Sequence, residues 1–215
     1  MEQERDDRGA PATAVGAAVL DRFRPALSQA LLACTRPGVE GRELACDVVD
    51  RLSRLDPARP AHAPRRASDP ADFPVLRHWP AAIANGLAGP PWVVSLCAAL
   101  DALRVHLRWH RHPEPGLPGF TAGHANANLI GPGGLVETRQ LLIGMSLMAP
   151  DTVYPDHHHP PAEGYVVLSQ GQWRQEQGPW KTPGAGGWIY NPPDIVHAMR
   201  SGPQPLLAVW GLPLN

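Results

Sequence analysis

The sequence predicts a mainly β protein with α: a helical N-terminal region over residues 1–115, then a small antiparallel β-barrel of jelly-roll type over residues 116–215. Three observations lead there. Apolar residues recur at helical spacing in the first half. From Gly116 onward, glycine and proline cut the chain into short apolar runs, and each run has strand length. Closely spaced strands with turns between them make a sandwich or small barrel.

The first helical stripe runs through Val15, Val19, Phe23, Leu27 and Leu31 and breaks near Pro37-Gly38. A second runs through Leu44, Val48 and Leu52. "DPARPAHAPRRASDPADFP", residues 56–74, carries a proline every few residues and reads as a linker. A third helix starts after Pro90-Pro91, where the unsatisfied N–H groups of a first turn tolerate proline, and places Trp92, Leu96, Leu100, Leu103 and Leu107 on one stripe. The segments "NANLIG", "RQLLIGMSLMA", "GYVVLSQGQW", "GGWIYNP", "IVHAM" and "PLLAVWGL" supply the strands.

Composition narrows the function classes. A formal net charge of -1 without a Lys/Arg-rich stripe argues against nucleic-acid binding. No apolar run reaches the roughly 18 residues of a membrane span. The N-terminus "MEQERDDRGA" lacks the basic-then-apolar order of a secretory signal. Cys34, Cys46 and Cys97 form no CxxC pair and leave one over if two are bridged, so reduced thiols in a cytoplasmic protein are expected.

The chemistry concentrates in "YPDHHHPPAEGY", residues 154–165. Strand side chains alternate between faces, so His157 and His159 share one face and His158 takes the other. After the Pro160-Pro161 turn, Glu163 and Tyr165 repeat the pattern, and His197 follows a later glycine-rich turn. Imidazoles plus a carboxylate, with room for water or substrate, suit one divalent transition metal: Zn, Fe, Mn or Ni. His62, His78, His106, His110 and His112 read as ordinary surface or core histidines. His124 and Asn126, just before the first strand, read as turn polarity, with lining of the pocket as the alternative.

This arrangement resembles the cupin superfamily, a small antiparallel barrel with one metal in its mouth. His157, His159, Glu163 and Gly171 match its first motif; Gly186, Pro192 and His197 match its second. Asp151 and Asp194 stand where the motifs carry glycine, and the gap from Glu163 to Gly171 is one residue longer than the motif's.

The chain's three tyrosines, Tyr154, Tyr165 and Tyr190, all lie near these motifs. Tyr165 shares the inward face of Glu163, and a phenol beside a divalent cation loses its proton more easily and can act as a general base. Tyr154 has the wrong parity relative to His157, and only a kink at Pro155 turns it inward. Trp173, Trp180, Trp188 and Trp210 accompany the barrel, and aromatic faces attract sulfonium or ammonium groups.

The blocks "HANANLIGP", "LMAPDTVYPDHHHPPAEGYVVLSQGQWRQEQGPW" and "PPDIVHAMRSGPQPLLAVWGLP" are together similar to the cupin-type dimethylsulfoniopropionate (DMSP) lyases, and the helical half is similar as well. The resemblance implies a metal held by His157, His159, Glu163 and His197, with Tyr165 beside it as base and Tyr154 lining the pocket. It implies β-elimination from a small sulfonium carboxylate, giving dimethyl sulfide and acrylate, with Trp173, Trp188 and Tyr190 around the sulfonium. Two other readings stay open. One is a cupin metalloenzyme of another class, a sugar isomerase or a dioxygenase acting on a small carboxylic acid; the other is a non-catalytic metal-dependent ligand sensor. Three jobs are open to the N-terminal helices: capping the barrel mouth, shielding the site from water, or forming a homodimer contact.

Overall fold

The computed structural model describes residues 19–56, 68–111 and 118–214. Val15, His62, His112 and most of the proline-rich linker lie outside these residues.

A π-turn, Val19–Phe23, leads into α1, Arg24–Cys34, whose first turn accommodates Pro25. Its buried residues are Ala26, Leu27, Ala30 and Leu31. The helix stops at Thr35, whose side chain and backbone N–H both bond to the Leu31 carbonyl. Gly41, at φ 75°, opens α2, Arg42–Ser53, which buries Ala45, Val48 and Leu52. A short 3-10 turn, Pro74–His78, passes into α3, Trp79–Leu87, and α4 follows as Pro91–Leu103. Helix α3 has no leucine stripe in its sequence. It buries Trp79, Ala82, Ile83 and Gly86 instead, and it packs on α4 where a Cβ on Gly86 would come within 2.3 Å of Cys97 Sγ. Small residues at that contact replace the periodicity that makes α1, α2 and α4 legible. Leu107 is buried but lies beyond the end of α4, past the 3-10 turn Arg104–His106. Among the described residues no helix is long and apolar enough to cross a membrane.

The strands are β1 (Trp109–His110), β2 (His124–Ile130), β3 (Leu141–Met148), β4 (Val153–His157), β5 (Glu163–Val167), β6 (Gln172–Gln175), β7 (Trp188–Asn191), β8 (His197–Arg200) and β9 (Leu206–Pro213). A short helix, α5 (Pro118–Gly123), runs directly into β2. The large sheet has the order β1-β2-β3-β9-β5-β7 and the small sheet β4-β8-β6, with antiparallel pairing throughout. Because β1 pairs with β2, the barrel sheet begins ahead of residue 116.

Two apolar clusters explain the layering. Phe23, Leu27, Val48, Leu96 and Leu100 from the helices share one cluster with Leu129, Ile143, Val166 and Val209 from the large sheet. Tyr154, Tyr165, Val167, Trp173, Met199, Ala208 and Trp210 form the second, between the two sheets. Alternate residues of β5 and β9 therefore serve opposite faces, and β9, together with β5 after Glu163, reads as an unbroken apolar run. Each fully buried leucine of the helical layer contributes roughly 1.5–3 kcal/mol through lost water contact. The helices thus lie against the outer face of the large sheet.

Gly41 tests how tightly this layer is fitted. A Cβ there would stand 2.3 Å from Tyr190 Cγ, at a backbone φ that side chains avoid. Gly41→Ala is expected to cost roughly 1–2 kcal/mol for the left-handed backbone and ~1–3 kcal/mol for overpacking. Chemical denaturation should show that sum as a lower midpoint with an unchanged slope.

Candidate metal centre

Strand β4 pairs with β8 through Val153↔Arg200, Tyr154↔Met199 and His157↔His197, with the register slipping by one residue between Tyr154 and His157. That slip is a β-bulge at Pro155-Asp156. An extra residue on one strand reverses the alternation beyond it. Tyr154 and His157 consequently both face inward, and the proline supplies the kink that the parity of Tyr154 requires. His158 is exposed, on the opposite side from its neighbours.

Three groups converge behind the bulge. Ligand-capable atoms of His159, Glu163 and His197 all lie within 4.8 Å of one another. Glu163 Oε2 is 3.4 Å from His159 Nε2 and 3.3 Å from His197 Nε2. The histidine orientations share one cause: Nδ1 of His157, His159 and His197 bonds to the carbonyl of Pro155, Pro161 and Ile195 respectively, each at 2.9 Å. A backbone carbonyl only accepts, so Nδ1 carries the proton and Nε2 keeps the lone pair that ligates a metal. His157 stands against His197, ring centroids 4.1 Å apart, but outside the group of three.

Electrostatics follow from burial. Glu163 is 4% exposed, and burial alone would raise its pKa, but interaction with the His159 and His197 imidazoles facing it holds it at about 2. Burial works against protonating His159 too, yet Glu163 reverses the balance and its pKa is raised. His157 falls to about 4, through burial first and the neighbouring His197 second. Tyr165 is 3% exposed; burial, then the charges of Glu163 and Tyr154, push its phenol well above the ordinary tyrosine range.

The motif aspartates keep the geometry that glycine would give. Asp151 has φ 53° and Asp194 φ 60°, in the left-handed region that aspartate enters more readily than most residues. The N–H of Asp194 bonds to the His159 carbonyl at 3.0 Å, fastening the second motif's turn to the first motif's ligand.

Among the aromatics, Trp173 is buried inside the barrel, its ring 6.1 Å from that of Tyr165. Trp188 and Tyr190 are not there, which corrects their expected place around the substrate. In β7, Glu163↔Asn191 and Tyr165↔Ile189 fix the register, so Ile189 and Asn191 point inward and Trp188 and Tyr190 outward. Trp188 Nε1 donates to the Glu40 carbonyl at 3.0 Å, and Tyr190 packs against Gly41. Trp210 does face inward, above Gly144, with Nε1 donating to Ser146 Oγ at 3.1 Å.

His124 and Asn126 also depart from their expected role as turn polarity. Both are buried in β2. His124 stacks on Phe120 at 3.7 Å, with Tyr154 edge-on to both rings, and Asn126 accepts a 2.7 Å hydrogen bond from Ser146. Asn191, absent from the sequence-based site, donates from Nδ2 to Glu163 Oε2 at 3.2 Å. Carrying the alternation of β5 across to β7 would have found it.

A two-sheet antiparallel barrel with His159, Glu163 and His197 gathered inside defines a cupin. Within that class, the DMSP lyase family model matches residues 47–208, and the chain belongs to the DMSP lyase family. It is 28% identical over 155 residues to DddL of Cereibacter sphaeroides, which carries the name of a dimethylsulfoniopropionate lyase. The match takes in 72% of this chain and 64% of that protein, so the chain spans just under two thirds of this relative's length. A chain from the crystal structures of the DMSP lyases RdDddP and RnDddQII superposes with a TM-score of 0.69 at 21% identity, covering 92% of this chain and 93% of the other. DddQ of Ruegeria pomeroyi gives 0.57 at 22% identity, covering 89% and 92%. Both have the same fold as this chain.

Two outcomes check the site. In the unfolded chain His157 takes up a proton as pH falls through about 6.5, but in the native chain only near 4. The native state therefore binds fewer protons across that window, and the metal-free protein loses stability on acidification through it. The contribution of His159, raised by folding, is complete below the unfolded value and constant over the same window. His157→Gln should flatten the fall in melting temperature between pH 6.5 and 4. At the turn, Asp194→Gly should leave the unfolding midpoint unchanged or higher, whereas Asp194→Val should lower stability by roughly 1–2 kcal/mol.

Proposed function

We propose that the protein is a metal-dependent carbon–sulfur lyase cleaving DMSP by β-elimination to dimethyl sulfide and acrylate, with Tyr165 as general base. One observation carries this reading. In β5, Tyr165 lies two residues beyond Glu163 on the same inward face, so a phenol stands next to the group formed by His159, Glu163 and His197. Family membership supplies the substrate.

The residues fit a divalent ion. His159 and His197 present Nε2 with its lone pair, Glu163 is ionised, and His197 Nε2 is fully buried without a hydrogen bond. These three would hold the ion, with His157 as the neighbouring fourth. A bound divalent ion would draw charge from the substrate carboxylate, acidify the adjacent carbon and favour the phenolate of Tyr165.

Tyr165 then takes the proton from the carbon next to the carboxylate. The electron pair left behind forms the carbon–carbon double bond, the carbon–sulfur bond breaks, and sulfur keeps its pair. Dimethyl sulfide departs neutral, so the barrel needs no acid to protonate the leaving group. Tyr154, brought inward by the bulge, lines the pocket beside His157, their ring centroids 4.6 Å apart. The indoles of Trp173 and Trp210 supply the aromatic faces for the sulfonium from inside the barrel. Their enclosure also keeps water from the reacting carbon.

The experiment is turnover of DMSP by the metal-loaded protein, with acrylate and dimethyl sulfide measured together. Tyr165→Phe should lower turnover at least ~100-fold, within the usual range for general-base removal, and leave bound metal unchanged. Activity within a few-fold of the parent would remove Tyr165 from the role. Oxygen consumption without acrylate would replace the lyase with a dioxygenase.

A further inference from the structure

Glu163 takes part in a second set of contacts that points away from its histidines. Asn191, 1% exposed, donates from Nδ2 to Glu163 Oε2, the same oxygen that faces His159 and His197. The Oδ1 of Asn191 accepts from Gln175 Nε2 at 2.9 Å. Gln175 Nε2 also donates to the Tyr190 carbonyl, and Gln175 Oε1 accepts from Lys181 Nζ at 3.4 Å.

The direction of this chain is fixed at its far end. An ammonium only donates and a backbone carbonyl only accepts. Lys181 and the Tyr190 carbonyl therefore decide which end of the Gln175 amide is which. Gln175 then decides it for Asn191, whose N–H must face the carboxylate. With the amide reversed, Asn191 Oδ1 would meet Glu163 Oε2, two acceptors in a buried place, at the cost of an unmade hydrogen bond and a repulsion. The chain also joins the two sheets. Gln175 in β6 sits opposite His197 in β8, while Asn191 in β7 sits opposite Glu163 in β5.

We infer that Asn191 is the positioning residue for the Glu163 carboxylate, and that Gln175 and Lys181, at the edge of the barrel, set the direction of its amide and so the cation affinity of the site. This rests on the metal-binding reading of His159, Glu163 and His197. The relay orients Glu163 and keeps it an acceptor; none of its members touches substrate.

The test is zinc affinity of the full-length, metal-stripped protein, measured by competition with a chromophoric chelator. Asn191→Leu should weaken zinc binding roughly 10–100-fold, as loss of a ligand's hydrogen-bond partner does elsewhere. Gln175→Glu is the sharper variant, because it keeps size and shape and adds a negative charge. Through space alone that charge tightens a divalent cation. Through the relay it loosens one, because a carboxylate at 175 accepts from Asn191 and turns Oδ1 onto Glu163. A loss of about 10-fold in Gln175→Glu, in a variant that still unfolds cooperatively, supports the relay. Affinity in Gln175→Glu that is unchanged or tighter overturns it. Should Asn191→Leu fail to fold, Gln175→Glu decides alone. A parent protein that binds no zinc overturns the metal reading and the relay together, whereas normal parent binding with unaffected variants overturns the relay only.

Discussion

Glu163 is ionised inside the barrel, and the surrounding structure answers the cost of burying it. Taking a carboxylate out of water costs several kcal/mol unless donors replace the water. Here Asn191 of β7 donates to Oε2, and the imidazoles of His159, beyond β4, and His197, in β8, face the same oxygen. These residues lie in two short stretches, His159 four residues ahead of Glu163 and Asn191 six residues ahead of His197, that are far apart in sequence. The barrel topology brings them together, since β5 lies beside β7 in the large sheet and β4 beside β8 in the small one. The small sheet delivers imidazoles and the large sheet delivers the carboxylate and its amide donor. A site of this kind depends on the relative position of two sheets, which explains a hydrogen-bonded link between them at that level.

The helical layer acts on the same strand from behind. Trp188 and Tyr190 project outward from β7, one bonded to the Glu40 carbonyl and the other fitted against Gly41 at the start of α2. Their alternates, Ile189 and Asn191, project inward. Helix packing and site geometry are thus opposite faces of a four-residue strand. Close contacts reinforce the link: a Cβ on Gly164 would meet the Trp188 ring at 2.0 Å, so β5 and β7 are held as one unit under the helices. The aromatics near the motifs serve two purposes, and only alternation along β7 separates them.

That distinction marks where the sequence was legible. The barrel strands, the leucine-striped helices and the grouping of His159, Glu163 and His197 follow from periodicity and motif spacing, which report local geometry directly. Trp188 and Tyr190 were misplaced because aromatic character is visible in a sequence, whereas a strand's facing needs one residue of known orientation. Asn191, opposite Glu163, provides that reference once the pairing is known. Tyr154 depended on a bulge, and proline at 155 was its only sign. Helix α3 carries no leucine stripe: it buries Trp79 and Ile83 and packs on α4 through Gly86. The buried row of His124 and Asn126 was hidden for a different reason: its partners, Phe120, Tyr154 and Ser146, come from three other elements. Asp151 and Asp194 departed from the expected residue type but not from the expected backbone, because the turns require a positive φ rather than glycine itself.

The charge of Glu163 also sets the terms for Tyr165. A carboxylate beside a phenol opposes the phenolate, and burial opposes it further, so in the metal-free chain the hydroxyl keeps its proton far above neutral pH. The same negative charge favours any cation at the histidines. Burial and Glu163 keep the phenolate from forming without a compensating positive charge nearby. Placing Tyr165 two residues from Glu163 on the same inward face ties the phenol to one carboxylate, and whatever disturbs the orientation of Glu163 alters the surroundings of the paired histidines and of the phenol at once.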